Sequence, residues 1–344
     1  MTEFIWTVPT RVPHRPAFDP SVRDDRPGRF TAFDEDSQVA RAAELAGFDG
    51  VVVPYDPGGE ESWVVAAALA PEVPRLGIVA EFPPDLGTAV YAAKLALSFQ
   101  RFFSDRLSWQ IVLDGDADPS LADSVSGPAR DTRTEEFLTV TRGVFGDAPY
   151  TFHGEFYEVE AGGFFDPSGT VPGLSQLVRA RSPHPRVLLG SQRQEGLSLS
   201  ARFGDVHVFD EPRPELLRAA IADVQARAAH AGRIVGAALR IAVVARDSDA
   251  EARRDLSRAT GHPEDGPVWS LPAGAPALTF DFSPSGWRAR SAIVGSYEAV
   301  ADQLRAYVEL GIGTFVLEGL HPVADAYRFG EYVRPLLSDT FVSA

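Results

Sequence analysis

The chain has 344 residues, 44% hydrophobic and 23% charged, the balance of a globular protein with a large core. Its net charge of −16 repels phosphate backbones and argues against a nucleic-acid partner, so an anionic ligand has to be met by a local group of arginines. Without cysteine there is no disulfide framework, thiolate metal site or cysteine nucleophile; MTEFIWTVPTR lacks a leader's pattern and no segment reaches membrane-spanning length, so a cytoplasmic protein is expected.

Apolar runs of strand length alternate with helical patterns along almost the whole chain, the rhythm of a parallel sheet wrapped by helices. FIWTVP (4–9) reads as the first strand. The helix SQVARAAELAGF (37–48) follows, with Val39, Ala42, Ala43 and Ala46 at helical spacing and Gly47 at its end. GVVVP (50–54) leads to the helix ESWVVAAALA, and LGIVAEF (76–82) to the helix AVYAAKLALSFQRFF. After LSWQIVL (107–113) comes a loop, then the helix RTEEFLTVTRGVF, then YTFHGEFYEV (150–159), which alternates like a hairpin outside the main rhythm. The beat resumes with RVLLGS (186–191), VHVFDE (206–211) and LRIAVVA (239–245), each followed by a helical pattern. A stretch dense in Pro and Gly (261–290) reads as a lid, and the helix SYEAVADQLRAYVELG, the strand TFVLEG (314–319) and a last helix close the chain.

Eight such strands with helical crossovers predict a (β/α)8 TIM barrel, one domain over 1–344 with insertions near 114–131, 146–185 and 255–291. A doubly wound open sheet is the alternative, but it needs a glycine-rich phosphate loop after the first strand, where PTRVPHRP has no glycine. Barrels carry their reactive groups at the carboxyl ends of strands. Here those ends are read as holding Glu81, Gln110, Ser191 to Arg193, Asp210, Arg240, Glu318 and His321.

Several stretches in this order carry a resemblance: RAAELAGFDGVVVP with EESWVVAAALAPEVPRLGIV, RTEEFLTVTRGVFGDAPYTFHGEFYEV, ARFGDVHVFDEP, and IVGSYEAVADQLRAYVELGIGTFVLEGLHPVADAYRFGE. Together they resemble the bacterial luciferase-like flavin monooxygenases, and within them the alkanesulfonate monooxygenase branch. The resemblance implies a barrel, commonly a homodimer, that takes reduced FMN from a separate flavin reductase and uses O2 to oxygenate a small organic substrate. It implies a pocket role for Tyr327, a substrate-facing Arg240, a Trp63 at the second helix, and a phosphate cradle at Gly190, Ser191, Gln192 and Arg193. A helix N-terminus is a natural anion site, and Arg193 adds a guanidinium.

Departures from the family's pattern are several. Its pocket cysteine falls at Gly59, its strand-seven histidine at Ala242, and its strand-four asparagine, a flavin contact, at Gln110. Asp131 after Arg130 replaces a tyrosine, and an acid near a phosphate costs affinity unless an arginine such as Arg130 or Arg193 compensates. Plainer readings stand beside the functional ones: Tyr327 packing at a helix start, Arg328 paired with Glu331, Arg240 in a structural ion pair, His321 an ordinary loop histidine, Glu60 and Glu61 capping a helix. On the functional side, His321 suits proton transfer, Arg328 touches substrate, and Arg288 and Arg290 close on an anionic ligand from the lid. No histidine pair shows a metal spacing. The rival to the oxygenase is a flavin-free homologue serving as a partner subunit or binding protein, or an oxygenase with another cofactor or none.

Overall fold

The computed structural model describes residues 2–10, 32–84, 87–113, 127–146, 148–164, 184–191, 193–260, 269–270, 278–279 and 291–338. Eight parallel strands form the barrel: β1 (Glu3–Thr7), β2 (Gly50–Val53), β3 (Gly77–Phe82), β4 (Leu107–Val112), β7 (Arg186–Gly190), β8 (Val206–Phe209), β9 (Gly236–Arg246) and β13 (Thr314–Gly319). Their hydrogen-bonded order is β9-β13-β1-β2-β3-β4-β7-β8, and β8 pairs again with β9, which closes the (β/α)8 barrel. All eight coincide with the apolar runs of the sequence. β5 (Tyr150–His153) and β6 (Glu158–Gly162) make the expected hairpin.

The helices are α1 (Ala32–Leu45), α2 (Ser62–Leu69), α3 (Ala89–Phe103), α4 (Gly127–Val144), α5 (Gln194–Phe203), α6 (Pro214–His230), α7 (Asp249–Thr260), α8 (Tyr297–Glu309), α9 (Pro322–Arg328) and α10 (Arg334–Ser338), the last two joined by a π-turn at Phe329–Val333. No described helix is long and apolar enough to cross a membrane. The helix at 61–70 is capped by Glu61, whose carboxylate accepts the Val64 N–H at 2.8 Å.

By contacts the chain falls into two compact units. Unit 1 holds Met1–Leu76, Phe209–Ile221 and Ala237–Ala344; unit 2 holds Gly77–Val208 and Ala222–Gly236. In unit 1, Phe4 stacks on Phe315 and tilts against Phe329, and Trp6 meets Phe48, so this face of β1 and β13 looks outward to the helices. The opposite face is the barrel's inner one. Register places Ile5, Val316 and Arg240 on it side by side.

β9 is eleven residues long because its two halves serve different neighbours. Its last five residues pair with β12 (Ala292–Ser296), a strand the sequence reading did not anticipate, which continues into the short β11 (Leu278–Thr279) and β10 (Trp269–Ser270). The face shared by Ala242, Val244, Ala292 and Val294 is covered by Ala252 and Leu256 of α7.

In unit 2, Trp109 of β4 packs against Phe82 of β3 and Phe137 of α4, which marks their side of the sheet as outward. Glu81 and Gln110, register partners on the adjacent strands, therefore lie on the inner face. The β5–β6 hairpin is anchored by Glu136 of α4, buried, whose carboxylate accepts the N–H groups of Glu155, Phe156 and Tyr157 at 2.7, 2.8 and 3.0 Å.

Candidate active site

In unit 2 the chain leaves β7 at Gly190, turns through Ser191, and enters α5 with Arg193 as its N-cap residue. Ser191 Oγ accepts the Arg193 N–H at 3.1 Å, which closes the turn. Gly196 is what lets the turn sit on the helix, since a Cβ there would come within 2.2 Å of the Ser191 side chain. The N–H groups of Gln194, Glu195 and Gly196 have no carbonyl one turn back within α5, so they point out of its positive end. Beneath the turn, His207 of β8 is buried and bonded to Ser200 Oγ of α5 at 2.7 Å. Burial pushes its pKa down to about 4, against the carbonyl side of Ser191, so the imidazole is a neutral strut.

The arginine that compensates Asp131 is Arg193. Its Nη1 and Nη2 donate to the two carboxylate oxygens at 3.0 and 2.8 Å, a two-pronged pair between the N-terminus of α5 and α4. Among the described residues no ion pair of Arg130 is found, and its carbonyl accepts the Thr134 hydroxyl. Gln192 lies outside the described residues, as do Arg288, Arg290 and most of 261–290.

In unit 1 the reading of Arg240 as a strand-end residue needs correction. It is the fifth residue of β9, level with Val316 in mid-β13, because β9 runs on to Arg246 to reach β12. It nonetheless faces Asp210, just past β8, with Nε 3.4 Å from the carboxylate. The arginine at the end of β9 is Arg246, which the sequence reading passed over. Buried, it meets Asp255 of α7 through Nε at 2.7 Å and Asp325 of α9 through Nη1 at 2.8 Å.

That network absorbs part of the last helix. Arg328 donates to Asp325 at 2.8 Å, one turn back, and not to Glu331 one turn on. His321 is the N-cap residue of α9; its backbone N–H goes to Asp325 and its half-exposed ring lies 3.9 Å from Asp255. Tyr327 of α9 is 41% exposed. Trp63 sits in the first turn of α2, half-buried.

One family position is closed to the residue the resemblance would put there: a Cβ at Gly59 would stand 2.8 Å from the Thr10 carbonyl oxygen, so a cysteine does not fit without moving the backbone. Ala242 is fully buried in an apolar cluster with Leu256.

The sequence profile of the luciferase-like monooxygenases matches residues 2–314. The chain belongs to that family. Solved structures with the same fold include riboflavin lyase RcaE, crystallised with modified FMN and riboflavin. It has 15% identity and a TM-score of 0.72, with 100% of this chain and 92% of that one covered. EDTA monooxygenase EmoA from Chelativorans sp. BNC1 is similar at 17% identity and TM-score 0.70, over 100% and 95% of the chains. An F420-dependent secondary alcohol dehydrogenase in complex with an F420–acetone adduct aligns at 14% and 0.69, over 98% and 99%.

For a luciferase-like monooxygenase the group to be accommodated is a flavin, and unit 2 can be tested for it. Gln110 is 3% exposed, and among the described residues its Oε1 meets no donor. A buried acceptor left unsatisfied costs about 1–3 kcal/mol unless a ligand supplies a donor. The ring N–H of a flavin is such a donor, so the ring end of the group fits. At the other end, the turn offers Ser191, helix N–H groups and Arg193, the last already occupied by Asp131.

One cluster the sequence did not reveal lies on the hairpin. His153 stands across from Glu158, and its ring nitrogens lie 3.6 Å from Glu158 and 3.2 Å from Glu160. Among the described residues it is the group of three side chains close enough to share a metal ion. All three are exposed, and exposed acidic groups commonly cluster without an ion.

Proposed function

We propose that the protein is a two-component flavin-dependent monooxygenase, using reduced FMN from a separate flavin reductase, and O2, to oxygenate a small organic substrate. The observation that carries it is Gln110, an inner-face amide oxygen that has no donor among the described residues. Bound flavin supplies the oxygen chemistry. The chain's part is to hold and orient it: Gln110 at the ring, and Gly190, Ser191, Gln192 and Arg193 at the phosphate, with Arg130, the sequence neighbour of Asp131. Toward the substrate, Arg240, held by Asp210, orients a polar end, Tyr327 donates a hydrogen bond, and His321 carries a proton. Trp63, Arg328, Arg288 and Arg290 complete the substrate contacts in this proposal. A cytoplasmic homodimer is its setting.

The substrate is proposed to differ from a simple alkanesulfonate, because Gly59 and Ala242 stand where that branch has its cysteine and histidine, and the first position has no space for a side chain. A sulfur- or nitrogen-containing natural product is the better candidate class. The test is titration of photoreduced FMN into the purified protein without oxygen, then exposure to air. Micromolar binding is expected, and Gln110→Leu should weaken it about tenfold, the worth of one buried hydrogen bond. No binding of reduced or oxidised flavin at high micromolar concentration would sink the proposal.

The Asp131–Arg193 pair favours a second reading, a flavin-free homologue acting as a partner subunit or binding protein, or an oxygenase with another cofactor such as a deazaflavin or with none. It predicts a colourless protein that copurifies with an active homologous chain.

A further inference from the structure

Resting on the flavin reading above, the geometry points to Asp131 as a specificity-determining residue: by engaging Arg193, it makes the site nearly indifferent to the ligand's terminal phosphate. Arg193 is the N-cap residue of α5, so a carboxylate bonded to its guanidinium lies at the end of the helix where an incoming anion would be received. That carboxylate already draws on the favourable field of the helix end. Glu195 in the first turn adds a second negative charge. Arg193 and Asp131 cancel, so the guanidinium at the turn offers a phosphate no net positive charge.

The pair is also better held than a surface ion pair. Asp131 is 13% exposed and Arg193 36%, and both carboxylate oxygens are engaged by the planar fork. A phosphate of nearly two charges has to separate this fork or sit beside it, and each course offsets much of what the helix N–H groups offer. The hydroxyls of a neutral ribityl chain face no such cost. They can bond the same N–H groups and Ser191.

A second feature marks this corner as a ligand site. Gln110 Oε1, buried and without a donor among the described residues, stands on the inner face of the strand pair that ends in the turn. It lies two residues before Val112, the register partner of Gly190. Ring recognition and phosphate recognition are thus separate, and only the second has been weakened.

The experiment compares FMN with riboflavin, each titrated by fluorescence quenching into the wild-type protein, Asp131→Asn, and the double variant Asp131→Asn/Arg193→Gln, with thermal melts confirming that all three fold. The wild type should bind the two flavins within about threefold of each other. Asp131→Asn releases one positive charge beside the phosphate and should raise the preference for FMN about tenfold. The double variant restores the original charge sum, and its preference should return to within about threefold of the wild type. A wild-type preference for FMN above about a hundredfold, or an Asp131→Asn ratio that does not move, overturns the inference and leaves the flavin reading intact. If neither flavin binds any of the three folded proteins, both are overturned.

Discussion

Each unit sets an arginine against carboxylates beyond the end of a strand, with different surroundings. Arg246 in unit 1 is 2% exposed and ties three elements together, β9, α7 and α9, through Asp255 and Asp325, with Arg328 joining from the next turn. Arg193 in unit 2 is 36% exposed and joins two helices through Asp131. Burial is what separates them. A charge withdrawn from water is held by all its partners at once and is strongly destabilising when left alone, so it is committed to structure. A pair still in reach of water costs the fold little when one charge is lost, so its charge can be kept for what it does to a ligand and not for stability.

The largest expected effect follows from the buried side. Arg246→Ala leaves Asp325, itself 4% exposed, with Arg328 as its remaining ion-pair partner, and removes the guanidinium that holds Asp255 of α7. Loss of about 3–5 kcal/mol is expected in urea unfolding, with an unchanged slope against denaturant. A loss below about 1 kcal/mol would place this network with the surface pairs and erase the contrast.

Acid should act on the units in opposite directions. His184 and His207, both in unit 2, are pushed down to about 4 by burial. At His184 the Pro185 carbonyl and Asp205 work against that shift and Arg142 with it. Between pH 6.5 and 4 the unfolded chain takes up these protons and the folded one does not, so their stabilisation is present above pH 6.5 and is lost as pH falls. At pH 5 that is roughly 2 kcal/mol per histidine. Asp36 in unit 1 is raised to about 7, by burial first and then by Glu35 and Glu60. Its folded form holds a proton between pH 3.8 and 7 where the unfolded form does not, so its contribution grows as pH falls. Hydrogen exchange at pH 7 and pH 5, corrected for intrinsic rates, should show protection falling in β7 and β8 before it falls in β1 and β13. The reverse order would contradict the assignment.

The barrel was legible because each of its eight strands is an apolar run bounded by breakers and followed by a helical pattern. β12 was not, since SAIVGS follows a segment with no periodicity and runs straight into the next helical pattern. The turn at Ser191 and Arg193 could be read from its place after a strand and before a helix. Its partner could be foreseen only as a charge needing compensation, because Asp131 and Arg193 stand 62 residues apart. Arg246 gave no signal at all. An arginine ending a strand looks solvated, and its burial is decided by Asp255 and Asp325, 9 and 79 residues on. The pairing of Arg328 failed for a local reason: Asp325 and Glu331 are equally placed by helical spacing, and Arg246 draws Asp325 inward, where Arg328 follows.

The smallest effect is the most discriminating. Asp131→Asn keeps the shape of the side chain and one acceptor for the Arg193 fork, so it removes a charge and little packing. At a half-exposed pair the loss should stay below about 1 kcal/mol in urea unfolding, a few degrees or less in the melting temperature. The same substitution changes the charge that a phosphate would meet by a full unit. Stability nearly unchanged with flavin preference shifted is the signature of a residue kept for recognition. A loss of 3 kcal/mol or more, matching that expected for Arg246→Ala, would instead make Asp131 a structural strut between α4 and α5, and the two units would then use their arginines alike.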